Sequence, residues 1–203
     1  MNQHDLLNAR HTSIGEAKTA MTDLLEKRSS NYSLDAALYN DPHMFRVDME
    51  EVFQKEWLFV GMTSEIPKKG DYLTVEIGQN PVLVVRDAEG NINAFHNTCS
   101  HRGSVICTEH RGKVANLVCP YHQWTYDLKG NLLFAGTEMN KDFNLKEHGL
   151  RSAFCKSAGG FIFVCLGKVA PEDEFDEFLE TLEAYMEPYD VENTKLAIES
   201  TMH

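Results

Sequence analysis

No run of apolar residues in this sequence approaches the ~18 that a membrane-spanning helix needs, so no helical membrane span is expected. Positive charge is also scarce. Lys and Arg number 19 against 31 Asp and Glu, a formal net charge of −12. A surplus of that sign repels nucleic-acid phosphates and anionic lipid headgroups, which argues against nucleic acid and membrane as partners. The opening residues, MNQHDLLNARHTSIGEAKTA, lack the apolar stretch of a signal peptide, and the expected location is the cytoplasm. Cysteines are few and odd in number, five in all. In a reducing compartment an odd handful of thiols argues against a disulfide framework and leaves them as ligands or core residues. Low-complexity tracts are missing too. What is present suffices for a core: 203 residues, 42% of them hydrophobic, near the upper end of a single domain.

Three regions follow one another along the chain. Residues 1–60 read as a helical segment: after the Asp41-Pro42 start signal, Met44, Val47, Val52, Phe53 and Trp57 fall at roughly helical spacings. Residues 61–167 change to β-branched and aromatic runs punctuated by Gly, Asn and Asp, as in DYLTVEIG, PVLVVRDAEGNINAFH, GKVANLVCP, WTYDLKGNLLF and GGFIFVCLG. This pattern predicts an antiparallel β-domain, with hairpin turns at Asp87–Asn91 and Asp127–Asn131, each containing a glycine able to take positive φ. Residues 168–203 predict an acidic helix whose apolar side carries Phe175, Phe178, Leu179, Leu182 and Met186. No Lys or Arg lies between Lys168 and Lys195. A charge run of that kind usually marks a solvated face, with an acidic docking surface as the alternative. The chain is thus expected to be mainly β, with helices flanking a β-domain.

One stretch of the β-region, CSHRGSVICTEHRGKVANLVCPYH, opens with Cys-x-His (Cys99, His101) and closes with Cys-x-x-His (Cys119, His122). Four such donors make a metal site, either a structural zinc or an iron–sulfur cluster in which two histidines replace two cysteines. Zinc sites usually begin with a Cys-x₂₋₄-Cys knuckle, so mixed pairs favour the cluster, in which each loop supplies one ligand to each iron. Both pairs follow strands, INAFHN and KVANLV, and are expected on loops at the ends of neighbouring strands. Cys107, Cys155 and Cys165 lack partners at ligand spacing and are expected to pack as small hydrophobes. His96, alternating with core residues, reads as buried or at an edge and His110 as exposed; His4, His11, His43 and His148 form no grouping suited to metal.

CSHRG followed by CPYHQWTYD resembles the Rieske domain of the Rieske non-haem iron oxygenases, the α-subunits of ring-hydroxylating dioxygenases and their demethylating relatives. EWLFVG, GDYL and GGFIFVCL extend the likeness over roughly residues 45–166. Within that family the motifs are most similar to those of enzymes oxidising quaternary ammonium compounds such as glycine betaine, and next to those acting on benzoate or anthranilate. The resemblance implies an antiparallel Rieske β-sandwich with flanking helices and a [2Fe–2S] cofactor held by Cys99, His101, Cys119 and His122. It places Arg102 and Gly103 where backbone N–H groups point at the cluster sulfurs, and Trp124 where it packs over the loop and excludes water; an ordinary core tryptophan is the plainer reading of that residue. Tyr121 stands where high-potential relatives carry an extra cysteine, and Cys107 has no mate, so a potential in the lower part of the Rieske range is expected.

The implied partners are a reductase or ferredoxin as electron donor and an oxygenase catalytic domain that holds mononuclear Fe(II) with two histidines and an aspartate. Beyond residue 166 the sequence has one histidine, His203, so no such triad, and no catalytic residue, is expected in this chain. Residues 171–203 read as the start of a connection to that domain, making the chain a fragment, a truncated product or half of a split protein. The resemblance further implies a homotrimer for the intact enzyme. A free-standing Rieske ferredoxin and a zinc-stabilised binding module are the alternatives; the helical N-terminal segment favours the α-subunit over the ferredoxin.

Overall fold

The computed structural model describes residues 13–136, 139–140, 142–171 and 174–195. His4, His11 and His203 lie outside them. The chain divides into two compact units, one ending at Glu56 and the other beginning at Trp57.

The first unit is helical. Helix α1, Ile14–Glu26, opens on a capping box: the Ser13 hydroxyl accepts from the Glu16 amide at 3.2 Å, and the Glu16 carboxylate accepts from the Ser13 amide at 2.9 Å. A short turn, α2 (Ala37–Asn40), leads to α3, Pro42–Asp48. Asp41 caps α3 by accepting from the His43 amide at 2.7 Å, and Pro42 takes the first helical position, where its missing N–H costs nothing. Met44 and Val47 are buried as expected, and α3 packs against α1. The apolar face goes no further, because Met49–Phe53 forms a π-helical turn whose wider spacing rotates the later positions off the stripe. Val52 and Phe53 are therefore half-exposed. Trp57 is not helical; it belongs to the second unit, where its ring stacks on Phe175 at 5.2 Å.

The second unit is the antiparallel β-structure that the alternation predicted. Its strands are β1 (Leu58–Met62), β2 (Asp71–Ile77), β3 (Asn80–Arg86), β4 (Ile92–His96), β5 (Arg111–Lys113), β6 (Leu117–Val118), β7 (Thr125–Tyr126), β8 (Leu132–Phe134), β9 (Ser152–Ala158) and β10 (Phe161–Cys165). A seven-stranded sheet runs β1-β10-β9-β4-β3-β2-β5, and a three-stranded sheet runs β6-β7-β8. Val82, Leu83, Val84 and Val85 of β3 are all fully buried, which is why that strand reads as one apolar run instead of an alternation. Helix α4, Glu174–Met186, packs on β9 with Leu179 buried, while Phe178 stays half-exposed.

The two expected turns are copies of each other. Asp87 accepts from the Glu89 and Asn91 amides at 3.0 and 2.8 Å, and Asp127 accepts from the Lys129 and Asn131 amides at 2.9 and 2.8 Å. Gly90 and Gly130 supply the positive φ, 92° and 82°. Burial pushes the Asp87 carboxyl up, but hydrogen bonds from Asn91, Asn93 and two backbone amides outweigh it and hold the pKa below the usual value.

One core cluster joins the faces of the two sheets: Tyr72, Leu83, Val85 and Phe95 from the larger, Leu117, Tyr126 and Leu132 from the smaller. Cys99, Cys119 and Trp124 are part of the same cluster. The site described next is thus continuous with the packed interior.

Candidate metal centre

Two loops carry the four donors, and they are closed by the same pair of backbone hydrogen bonds. In the first, the Cys99 amide donates to the Ser104 carbonyl at 2.8 Å and the Gly103 amide to the Cys99 carbonyl at 2.9 Å. In the second, the Cys119 amide donates to the Trp124 carbonyl at 2.8 Å and the Gln123 amide to the Cys119 carbonyl at 3.0 Å. Each loop turns through a residue at positive φ, Gly103 at 71° and Gln123 at 60°. A Cβ at Gly103 would meet open space, so glycine serves the dihedral and not the room. Its N–H donates to the Cys99 carbonyl within the turn. Arg102 beside it is exposed.

Equivalent loops put equivalent residues together. Cys99 and Cys119 head the two turns and are 4% and 1% exposed. Burial pushes the Cys99 thiol up; bonds with Tyr126 and the His101 amide offset this in part, and the adjoining Cys119 thiol adds to the rise. Nearer the loop tips, the His101 and His122 rings lie 4.7 Å apart, centre to centre. Thiol thus meets thiol and imidazole meets imidazole, although each loop contributes one of each.

His101 is stacked flat against Trp124, at 4.7 Å and 6° between planes, and Trp124 is 2% exposed. Trp124 is thus both a member of the core cluster and a packing surface for the His101 ring. The Nδ1 atom of His101 is buried and has no hydrogen-bond partner. An orphaned ring nitrogen is costly unless something takes its lone pair or proton. Burial, with the neighbouring His122 and Arg102, pulls the His101 pKa below its ordinary value, which favours the neutral imidazole that ligates metal. The donor set therefore fits two irons sharing two thiolates and two imidazoles. Among the described residues no three or more His, Cys, Asp or Glu side chains are grouped to hold one metal ion, and a two-iron cluster asks only two protein donors of each iron.

Sequence reasoning expected the loops at the ends of neighbouring strands. They are not: KVANLV splits into β5, an edge of the larger sheet, and β6 in the smaller, so the first loop follows β4 of one sheet and the second follows β6 of the other. Facing sheets, not adjacent strands, bring the pairs together. The remaining cysteines lie outside the donor set. Cys107 and Cys165 are buried and Cys155 is partly so, with Cys107 pushed up to about 11 and Cys155 to about 12 by burial. His96 is buried and His110 exposed, as expected.

Several contributors were not singled out from the sequence. Tyr126 is fully buried and its hydroxyl lies 3.1 Å from Cys99 Sγ. Asn97 is 1% exposed and clasps the first loop from below: its Nδ2 donates to the Cys107 carbonyl at 2.7 Å, and its Oδ1 accepts from the Ile106 and Cys107 amides at 3.3 and 3.0 Å. His148 packs edge-on to Trp124 at 6.0 Å and against Phe143 at 4.3 Å, a third wall built from a distant segment. The one available signal was Asn97 following a strand just before Cys99, where a short amide can bond back to the chain.

Residues 56–142 match the family described as the Rieske [2Fe-2S] domain. The chain carries a Rieske domain. Over 186 residues it is 56% identical to the glycine betaine monooxygenase oxygenase subunit of Pseudomonas aeruginosa, covering 92% of this chain and 43% of that protein. It is 33% identical over 158 residues to the anthranilate 1,2-dioxygenase large subunit of Acinetobacter baylyi, covering 77% of this chain and 33% of that one. Among solved structures, a quaternary ammonium Rieske monooxygenase shares 26% identity at a TM-score of 0.71, covering 80% of this chain and 45% of the other. A naphthalene 1,2-dioxygenase shares 32% identity at a TM-score of 0.68, covering 79% and 36%. The Rieske chain thus spans less than half the length of these relatives.

Proposed function

We propose that this chain is the electron-transferring part of an oxygenase α-subunit of the quaternary ammonium type, acting on a substrate such as glycine betaine. The observation that carries the reading is the sorting of donors across the two loops, Cys99 with Cys119 and His101 with His122, inside a Rieske domain. Cys99 and Cys119 would hold one iron and His101 and His122 the other. When bound, the [2Fe–2S] group supplies storage for a single electron at a potential raised by neutral imidazoles in place of two thiolates. The chain's own residues do the rest. Trp124 and the core cluster keep water from the thiol side, and His122, exposed at its loop tip, presents the other side to partners.

The donor in this reading is a reductase or ferredoxin, and the acceptor is a mononuclear iron in an oxygenase catalytic domain. Similarity to the glycine betaine enzyme extends well outside the 56–142 match, into both flanking helical segments, which supports an oxygenase subunit over a free-standing carrier. No helix among the described residues is long and apolar enough to cross a membrane. We place the protein in the cytoplasm, with the intact enzyme a homotrimer.

Mixing the iron- and sulfide-reconstituted chain with NADH and the reductase of a glycine betaine monooxygenase tests the partner. The expected result is reduction of the chain by one electron, seen as bleaching of its visible absorption. A chain that dithionite reduces but the reductase does not, with or without an added ferredoxin, would overturn the donor assignment.

A further inference from the structure

The hydroxyl groups around Cys99 can be counted proton by proton. Ser100 Oγ lies 2.7 Å from the His148 carbonyl, which can only accept, so the single Ser100 hydroxyl proton is committed there. The Ser100 backbone N–H donates to Tyr126 Oη at 3.2 Å. Tyr126 then has one proton of its own and two neighbours within reach: Cys99 Sγ at 3.1 Å and Ser100 Oγ at 2.9 Å. Ser100 Oγ, having spent its proton on His148, can only accept from Tyr126. Cys99 as a metal-bound thiolate has no proton either and can only accept. Two acceptors compete for one phenolic proton.

From this count we propose that Ser100 is a positioning residue that draws the Tyr126 proton away from the Cys99 sulfur and so holds the reduction potential below the value Tyr126 alone would set. The inference rests on the Rieske reading above. A hydrogen bond to a ligand sulfur stabilises the more negative, reduced state and raises the potential. Sharing the proton with Ser100 weakens that bond, and the His148 carbonyl sustains the sharing by fixing which way the Ser100 hydroxyl points. The segment bearing His148 therefore acts on the sulfur without touching it. Tyr126 sits in the interior, fully buried, so its proton has few other destinations.

The test is a set of reduction potentials, measured by voltammetry on the reconstituted chain and four variants: Tyr126→Phe, Ser100→Ala, the double variant and Ser100→Thr. Tyr126→Phe should lower the potential and Ser100→Ala should raise it. Ser100→Thr, which keeps a hydroxyl, should stay at the wild-type value. The double variant should match Tyr126→Phe alone, because Ser100 works only through the phenolic proton. A Ser100→Ala potential that falls or does not move would overturn the proposal. So would a Ser100→Ala rise that persists with Phe at 126, since that would be altered solvation instead of a redirected proton. A Ser100→Ala chain unable to take up iron would also overturn it, because a residue that only biases a proton is not needed for assembly. Failure of the wild-type chain to load a cluster is a different result, and it would remove the Rieske reading itself.

Discussion

Replacing either His101 or His122 by alanine is expected to abolish the visible absorption of the reconstituted protein and drop its iron to background. Each substitution leaves one iron with a single protein ligand, too few to retain it against solvent. The loss should come with little unfolding. His122 is exposed at a loop tip, and substitutions at such positions typically change stability by within about 0.5 kcal/mol. His101→Ala also removes a ring stacked on Trp124, so its stability cost should be the larger of the two. His96→Ala and His110→Ala supply the contrast. His96 is buried in β4, and its loss should cost stability while leaving the cluster; His110 is exposed, and its loss should change neither. Iron analysis together with visible circular dichroism reads all four. Full iron in His122→Ala would remove that residue from the ligand set.

Asn97→Ala should be the most damaging change away from the ligands. Truncation leaves the Ile106 and Cys107 amides and the Cys107 carbonyl without their side-chain partner in a buried position. Each buried polar group left unpaired costs about 1–3 kcal/mol. Partial relaxation keeps the sum below that of three independent losses, and we expect about 3–5 kcal/mol, at the diagnostic end of single-mutant effects. For a unit of this size that corresponds to a melting point lower by roughly 10 °C or more. Asn97→Asp keeps both acceptor bonds but turns a buried carboxylate oxygen toward the Cys107 carbonyl, so it should also be less stable than the wild type. Because Asn97 closes the base of the loop that bears Cys99 and His101, iron should also leave Asn97→Ala faster on addition of a chelator. Denaturant midpoints at unchanged slope give the stability; a shift below about 1 kcal/mol would show that the clasp is not a structural element.

The parts of this fold written in short stretches of sequence were the parts that could be read. Asp-x-x-Gly-Asn specifies a turn by itself, because the carboxylate bonds to amides two and four residues on and the glycine takes the positive φ; both copies form as expected. The spacing of the four candidate donors stood out for the same reason, since metal chemistry constrains residue types within a few positions. Gln123 was not legible: it takes a positive φ as a non-glycine, held there by closure of its loop, and no local propensity announces it. The Tyr126 bond to Cys99 joins residues 27 apart and the Ser100 bond to His148 joins residues 48 apart. Such pairings exist only after the chain has folded, so the local pattern around either residue does not say which partner it meets. Trp57 was misplaced because a π-helical turn breaks the spacing on which the helical reading depended, and tertiary packing on Phe175 then claims the ring.

Iron and acid-labile sulfide, assayed on the reconstituted chain beside its absorption spectrum, decide whether the two loops hold a cluster. The expected protein is red-brown with about two irons and two sulfides per chain, as a cluster with four protein ligands requires. A colourless protein that binds one tight zinc and no sulfide would contradict that expectation.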